Sequence, residues 1–310
     1  MNQIPPRSEL YYPLADIVRQ IRGLPDPVAA YKDFCKNLDP DSAITVSRQL
    51  AVNDIKPAIL RNVLTPREYE KFMENIAILR YGVFKINDNC YALGKDMLPI
   101  NHFEYSVFCA RYGLDTIDLT KISLDAAIID IGAFIGDSAL IFRRYLKNKI
   151  YSFEPMPDNY KLMLKTIGMN GAGDQIIPVQ MALTDTSDAK VFLDEQTAKG
   201  NISCYRTGDT QFGEALPSCA LDDFVQTNNL KVGMIKVDIE GGEQSFLRGA
   251  RATIERDRPI MLLSIYHPWT DLDYFNIKKM VESWGLGYGF RIFKPMDSHP
   301  MNETLLICEQ

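Results

Sequence analysis

The segment MIKVDIEGGE, residues 234–243, contains the residues best suited to chemistry. The two-residue period of a strand places Lys236, Asp238 and Glu240 on one face. Strands of a parallel sheet are covered on both faces and are nearly all apolar, so three charges there are expensive to bury unless they are paired or used. We therefore expect these residues to lie toward the open end of a strand, facing a cleft. The structural alternative is a Lys–Asp ion pair, with Glu240 capping the next helix.

A second segment, IIDIGAFIGDSAL at residues 128–140, places an acid and two glycines where a buried strand meets a helix. Gly132 and Gly136 allow a ligand to approach the backbone closely, and the helix N-terminus favours a negative group such as a carboxylate. The dinucleotide fingerprint G-x-G-x-x-G is absent, because position 134 is Phe. The alternative is a tight strand-to-helix turn without a ligand.

The next predicted strand ends in Glu154-Pro155, 24 residues after Asp130. An acid at the end of the second strand suits hydrogen bonds to a ribose diol. The alternative is a surface Glu beside a turn Pro. Together with the glycine turn, this spacing indicates an adenosine-bearing cofactor, and the missing third glycine weighs against a pyrophosphate.

His267 ends the later strand PIMLLSIYH. Its ordinary pKa, about 6.5, suits proton transfer at neutral pH. The alternative is a hydrogen-bonded histidine at the edge of the core. His102 and His299 lie in loop-like sequence, and we interpret them as structural or surface residues. Aromatic residues such as Tyr266 near this strand are more often core than pocket lining.

The elements that must position these residues alternate between strand and helix from residue 126 onward, which predicts an α/β fold with a doubly wound, Rossmann-like, mostly parallel sheet. Two closing strands, YGFRIFKP and ETLLICEQ, predict an antiparallel edge hairpin. QIIPVQMAL reads as the third strand, EQSFLRGARATIER as one helix, and AKVFLDE and NISCYRT as inserted β pieces.

The first 120 residues read as mainly helical. Asp26 caps a helix that begins at Pro27, and Thr65 with Pro66 repeats this pattern. GVFKINDNCYALG predicts a hairpin turning at Asn87-Asp88. YPLADIVRQIRGL and NHFEYSVFCARYG are both predicted to be helices.

Composition excludes several classes of protein. The chain has 310 residues, a formal net charge of −6 and a pI of about 5.2, so it lacks the basic footprint of a nucleic-acid-binding protein. We expect no membrane span, since no apolar run approaches about 20 residues, and no signal peptide. None of the six cysteines forms a C-x-x-C pair. We interpret them as reduced, mostly buried thiols, which suits the cytoplasm. The oligomeric state is left open.

A set of motifs, taken in order, resembles one family. They are Asp130-Ile-Gly-x-x-x-Gly136, Phe153-Glu154-Pro155, Ala182-Leu183, Leu221-Asp222-Asp223, Ile235-Lys236-Val237-Asp238-Ile239-Glu240-Gly241 and Leu247-Arg-Gly-Ala250. The chain is similar in these motifs to FkbM-type methyltransferases, class I enzymes that depend on S-adenosylmethionine. The resemblance covers roughly residues 124–310, and Lys-x-Asp-x-Glu-Gly is its specific part.

The resemblance implies a methyltransferase domain over 121–310. Residues 1–120 carry none of these motifs; in this fold class such an extension often caps the substrate side. The resemblance also implies a set of cofactor contacts. The methionine part of the cofactor would contact Asp130, Gly132, Ala133, Gly136 and Asp137. The ribose would contact Glu154, which is followed by Pro155, and the adenine would contact Met156 and Ala182. Asp238 would contact the amino group of the cofactor or the acceptor.

The activity that we expect is O-methylation of a hydroxyl group on a sugar of a polysaccharide or on a secondary metabolite. His267 would remove the proton, Lys236 and Asp238 would orient the acceptor, and Glu240 would complete this polar set or be structural. No metal ligand is assigned. In a variant hypothesis Asp238, Glu240 and His267 bind a divalent cation that lowers the pKa of the acceptor. The alternatives are a non-catalytic cofactor- or glycan-binding protein on this fold and, with less support, a nicotinamide oxidoreductase.

Overall fold

The structure is a computed structural model that describes residues 18, 20–54, 66–187, 191–193, 205–207, 216–267, 273–295 and 303–310. Its helices are α1 Pro27–Cys35, α2 Pro40–Asp54, α3 Pro66–Gly82, α4 Tyr105–Phe108, α5 Asp137–Tyr145, α6 Pro157–Met169, α7 Leu221–Thr227, α8 Glu243–Gly249, α9 Arg251–Asp257 and α10 Asp273–Ser283. Two 3₁₀ segments span Arg111–Thr116 and Leu119–Lys121.

The strands are β1 Val83–Asn87, β2 Cys90–Leu93, β3 Asp96–Leu98, β4 Ala127–Ile131, β5 Ile150–Phe153, β6 Ile176–Val179, β7 Ala182–Thr184, β8 Val191–Leu193, β9 Tyr205–Thr207, β10 Ser218–Ala220, β11 Val232–Val237, β12 Ile260–Ser264, β13 Gly289–Phe293 and β14 Leu305–Glu309. β1 to β3 form a small antiparallel sheet, and β8 pairs antiparallel with β9.

The central sheet has seven strands in the order β13-β14-β12-β11-β4-β5-β6. β4, β5, β6, β11 and β12 are parallel, and β14 runs antiparallel to both of its neighbours. This confirms the predicted doubly wound sheet with an antiparallel C-terminal pair. The last strand is not at the edge itself, because it lies between β12 and β13. Since the order reverses between β4 and β11, the carboxyl ends of these two strands flank the position where such sheets bind ligands.

Residues from the first 120 pack on both faces of this sheet. On one face, Phe34 and Val46 join the core formed with α8 to α10. On the other face, Leu98, Phe103 and Leu114 join the core that covers α5 and α6. The N-terminal residues are therefore part of the two hydrophobic cores that position the strands.

Several local predictions are confirmed. The Asp26 carboxylate accepts a hydrogen bond from Ala29 N at 2.8 Å, and α1 begins at Pro27. The hairpin turns at Asn87, whose side chain accepts from Asn89 N. α3 begins at Pro66, whereas Thr65 and most of the first predicted helix lie outside the described residues.

Three predicted elements are wrong in extent. The helix predicted in NHFEYSVFCARYG ends after four residues, because Arg111, Tyr112 and Gly113 all have positive φ. QIIPVQMAL is two strands, of which β7 leaves the central sheet and pairs with β10. EQSFLRGARATIER is likewise two helices, separated at Ala250. Arg111 and Tyr112 adopt a left-handed backbone conformation that interrupts the helix. Hydrophobic periodicity, from which the helix was predicted, carries no signal of such a conformation.

Two further predictions concern the cysteines and membranes. Cys90 and Cys308 are buried free thiols, Cys35, Cys109 and Cys219 are half-buried free thiols, and Cys204 lies outside the described residues. Within the described ranges, the helices are too short or too polar to cross a bilayer.

Candidate active site

The glycine turn between β4 and α5 is pressed against the end of β11. Gly132 has φ +69°, and a Cβ at this position would lie 1.7 Å from the carbonyl oxygen of Asp238. Gly136 has φ +83°, and its Cβ would meet Met163 Cγ at 3.0 Å. Phe134 also has a positive φ, although it is not glycine. The predicted close approach at this turn therefore involves the protein's own backbone as well as any ligand.

The Lys236 side chain contacts the backbone of the same glycine turn. Its ammonium donates to Gly132 O at 2.7 Å and to Ile131 O at 3.3 Å, and it lies 3.3 Å from Asp130 Oδ1. Burial disfavours the charge, but Asp130 and then Asp238 outweigh it and raise the pKa of Lys236. Lys236 and Asp130 are both buried. Lys236 is the penultimate residue of β11, as predicted for the open end of the strand. Its side chain is nevertheless buried, because it forms an ion pair with Asp130, its register partner on β4.

Asp130 is tied to the start of α5. Its Oδ2 accepts from Ser138 Oγ at 2.8 Å and from Ser152 Oγ at 3.4 Å. Ala133 is fully buried in the turn. Asp137, the first residue of α5, accepts from Ser138 N at 3.0 Å. Burial, followed by the charge of Glu104, raises the pKa of Asp137 to about 7.

Glu154 joins the end of β5 to the glycine turn. Its Oε2 accepts from Phe134 N at 3.0 Å, and its Oε1 accepts from Met156 N at 2.9 Å. The side chain is 2% exposed, and burial raises its pKa to about 7 despite these hydrogen bonds. Pro155 beside it is buried. The acid predicted to bind a ribose therefore also shapes the turn.

Met156 and Ala182, both predicted to border an adenine, lie in one small apolar cluster. Ala182 packs with Val191 and Leu216, and half-buried Met156 packs against them. Ala182 does not end the third strand of the sheet, as predicted. It begins β7, which forms a separate pair with β10.

His267 stands among three carboxylates, and we call Asp238, Glu240, Glu243 and His267 the carboxylate cluster. His267 Nδ1 lies 2.9 Å from Glu243 Oε1. His267 Nε2 lies 3.4 Å from Asp238 Oδ1 and 3.5 Å from Glu240 Oε2. Asp238 is 14% exposed and Glu240 is 26% exposed, so the Nε2 side of the ring faces the accessible part of the cluster.

Charges within the cluster shift one another's pKa. Burial opposes the positive charge of His267, but Glu243, Glu240 and Asp238 outweigh it and hold its pKa well above the ordinary value. The pKa of Glu243 is lowered, because His267 more than offsets the effect of burial. Burial raises the pKa of Glu240 to about 7 and that of Asp238 above its ordinary value. The resting imidazole is therefore protonated at neutral pH.

Four residues of this site were not predicted from the sequence. Glu243 lies within residues 234–243, but no role was predicted for it. Tyr266 donates to Asp238 Oδ1 at 3.2 Å, and Tyr112 donates to Asp238 Oδ2 at 3.5 Å. Glu104 lies close enough to Asp137 for its charge to raise the pKa of Asp137. The signal available for Glu243 was its place at the start of α8, directly after the turn that follows β11.

Asp238, Glu240 and His267 also meet the geometric requirement of a cation site. One ligand atom from each of them lies within 4.8 Å of the other two. Carboxylate oxygens and imidazole nitrogen are common ligands of divalent metals. The arrangement leaves both a proton-transfer role and a cation-binding role open to these residues.

The sheet order, the glycine turn and the acidic strand ends define a Rossmann-like fold of the methyltransferase type. The family profile of the methyltransferase FkbM domain matches residues 130–292, just over half of the chain. The chain belongs to the FkbM methyltransferase family. A search of curated proteins finds none that matches it significantly.

Solved structures share this fold. The chain is similar to methyltransferase FkbM from Methylobacillus flagellatus KT, with 19% identity and a TM-score of 0.56, over 95% of this chain and 60% of that one. It thus spans about three fifths of the length of that protein. More distant similarities are to a putative O-methyltransferase from Klebsiella pneumoniae, with 10% identity and a TM-score of 0.39 over 85% of this chain and 96% of that one. They also include M. capricolum TrmK in complex with S-adenosyl-homocysteine, with 14% identity and a TM-score of 0.35 over 64% of each chain.

Proposed function

We propose that this chain is an S-adenosylmethionine-dependent O-methyltransferase that acts on a hydroxyl group of a sugar, a polysaccharide or a secondary metabolite. The carrying observation is the oriented imidazole of His267, held by Glu243 at 2.9 Å with Nε2 toward Asp238 and Glu240. It lies at the carboxyl ends of β11 and β12, beside the glycine turn. A hydroxyl acceptor needs this arrangement, because its proton has to leave as the methyl group is transferred.

The residues present fit the cofactor. Gly136, the N-cap residue of α5, has no side chain that could cap the helix, and Ser138 N donates to the Asp137 side chain. The other N–H groups at this helix end favour a carboxylate. Glu154 is placed for the ribose hydroxyls, and Met156 with Ala182 offers an apolar surface for the adenine. The carboxylates around the glycine turn favour a cationic ligand. When bound, this cofactor supplies an electrophilic methyl group on a sulfonium.

The chain's contribution is to position the acceptor and take its proton. His267 Nε2 would take the hydroxyl proton of the acceptor as the acceptor oxygen is methylated. Asp238 orients the acceptor, and the hydroxyls of Tyr112 and Tyr266 fix Asp238 in turn. The pKa of His267 would fall if a positively charged group were bound nearby, because like charges repel, and the neutral base would then be favoured. Lys236 acts indirectly, by holding the glycine turn.

Residues 1–120 are proposed to cap the substrate side. Tyr112, whose hydroxyl lies 3.5 Å from Asp238, comes from this part of the chain. The ring of His102 lies 5.0 Å from that of Phe134 in the glycine turn. These two contacts join the extension to Asp238 and to the glycine turn. A cytoplasmic location and a small-molecule or glycan acceptor complete the proposal.

A divalent cation at Asp238, Glu240 and His267 is a second candidate for the same cluster, favoured by ligand atoms within 4.8 Å of one another. A bound cation would displace the proton from His267 and lower the pKa of a coordinated hydroxyl. Activity that is lost on dialysis against a chelator and restored by Mg²⁺ or Mn²⁺ would establish this variant. Activity that survives dialysis unchanged would refute it.

The test is transfer of labelled methyl groups from S-adenosylmethionine to a panel of hydroxylated sugars and metabolites. We expect His267→Asn to lower kcat about 10²- to 10⁴-fold, the usual contribution of a general base. Glu74→Gln, an exposed substitution on α3, is the matched control. A near-wild-type rate for His267→Asn would refute the base assignment, and an already ionised carboxylate acceptor would explain it. Cofactor binding without transfer to any acceptor would favour a binding protein.

A further inference from the structure

The segment that leads from β3 into α4 brings a carboxylate to the glycine turn. Phe103 is buried against Phe108, with ring centroids 4.8 Å apart, and this fixes the backbone on either side of Glu104. His102 packs edge-on against Phe134 at 5.0 Å. Glu104 is thereby held beside the turn, although it comes from the N-terminal part of the chain.

Glu104 is fixed in direction and remains accessible. Its Oε1 lies 2.9 Å from His102 Nε2, while its side chain is 42% exposed. Partial burial acts to raise the pKa of Glu104, but His102 and then Lys236 lower it overall, so the carboxylate is ionised at neutral pH. The histidine orients the carboxylate, and the exposed part of the carboxylate can accept hydrogen bonds from a ligand.

Glu104 faces the cationic group of Lys236 and its partner His102, and it also faces other carboxylates. Its charge raises the pKa of Asp137 on α5 and contributes to the raised pKa of Asp238 and of Glu240. Repelling carboxylates are unfavourable unless a cation offsets them. A ligand that brings a positive group to this point would therefore be bound more tightly.

We propose that Glu104, oriented by His102, accepts hydrogen bonds from the α-ammonium group of the cofactor. This inference rests on the proposed function, which places the amino-acid end of the cofactor against the glycine turn. It gives the N-terminal extension a direct part in cofactor binding. His102, which sequence analysis treated as structural or surface, becomes the residue that positions Glu104.

Calorimetric titration of the full chain with three ligands tests this assignment. S-adenosylhomocysteine carries the ammonium, its des-amino analogue keeps the carboxylate alone, and 5′-methylthioadenosine lacks the whole amino-acid end. We expect Glu104→Gln to weaken the binding of S-adenosylhomocysteine about tenfold or more, as for the loss of a hydrogen bond between charged groups. Binding of the other two ligands should change less than twofold. Glu74→Gln should leave all three unchanged.

The outcomes separate this inference from the proposed function. Unchanged affinity of Glu104→Gln for S-adenosylhomocysteine, in a wild type that binds all three ligands, would overturn the inference alone. An equal loss for the des-amino analogue would assign Glu104 to structure and also overturn it. Titration with S-adenosylmethionine as a fourth ligand covers one further case: a loss with it but not with S-adenosylhomocysteine would assign Glu104 to the sulfonium and overturn the inference. Failure of the folded wild type to bind any of them would contradict the proposed function itself.

Discussion

Replacing Gly132 by alanine tests the close approach between the glycine turn and β11. The new Cβ would lie 1.7 Å from Asp238 O, whereas real Cβ contacts are essentially never under 3.0 Å. The obstacle is backbone, so no rotamer change relieves the contact and the two strand ends have to separate by more than an ångström. Alanine also has to adopt φ +69°.

The expected loss of unfolding free energy is the sum of two effects. A left-handed backbone costs a non-glycine residue about 1–2 kcal/mol, and overpacking costs about 1–3 kcal/mol. Gly132→Ala should therefore destabilise the chain by about 2–5 kcal/mol. Gly94→Ala is the matched control, because Gly94 has φ +61° and nothing within 4 Å of its Cβ position. It should lose about 1–2 kcal/mol.

Urea unfolding of both variants, followed by titration with S-adenosylhomocysteine, measures these effects. We expect Gly132→Ala to lose affinity at least about tenfold, because the displaced turn also carries the Lys236 contact to Gly132 O at 2.7 Å. Gly94→Ala should bind normally. If Gly132→Ala is no less stable than Gly94→Ala and binds equally well, the close approach does not shape the site.

Three further outcomes are expected. The pKa of Glu154 rises from 4.5 to about 7 on folding, so Glu154 favours the folded state most below pH 4.5, and this contribution is lost as the pH rises to about 7. In urea titrations, the free energy of unfolding of Glu154→Gln should equal that of wild type near pH 4 and exceed it by on the order of 3 kcal/mol at pH 8. A difference between the two proteins that stays the same across this range would contradict the raised pKa of Glu154. Glu243→Gln removes the carboxylate nearest His267 Nδ1, so the pKa of His267, followed by NMR, should fall toward its ordinary value, and an unmoved pKa would show that Glu243 is not its main partner. Tyr266→Phe removes a donor to Asp238 at 3.2 Å and should lower kcat/KM about tenfold if this hydrogen bond positions Asp238; an unaltered kcat/KM would remove Tyr266 from the site.

The sheet and the acidic strand ends were predictable because they follow from local patterns. Alternating strands and helices fix the parallel sheet, and the carboxyl ends of its strands meet at one edge. Asp130 is the penultimate residue of β4, and Glu154 and Asp238 directly follow β5 and β11. His267 comes three residues after β12, so the proximity of these four residues could be inferred without tertiary information.

The features of the site that could not be predicted from the sequence depend on contacts between distant segments of the chain. The orientation of Lys236 is set by Asp130 on the neighbouring strand, and strand period alone gave only its face. Tyr112 reaches Asp238 because a left-handed run interrupts a segment with helical spacing. Glu104 reaches the turn through the packing of His102 on Phe134. None of these contacts leaves a periodic signal in sequence.

The most direct test of the account is a calorimetric titration of the folded, full-length chain with S-adenosylhomocysteine, repeated with Glu154→Gln. Glutamine is preferable to alanine here, because the Glu154 side chain also accepts from Phe134 N and Met156 N. We predict binding of one ligand per chain by wild type and weaker binding by the variant at equal folded fraction. Absence of binding by the folded wild type would contradict the methyltransferase proposal and the cofactor site together.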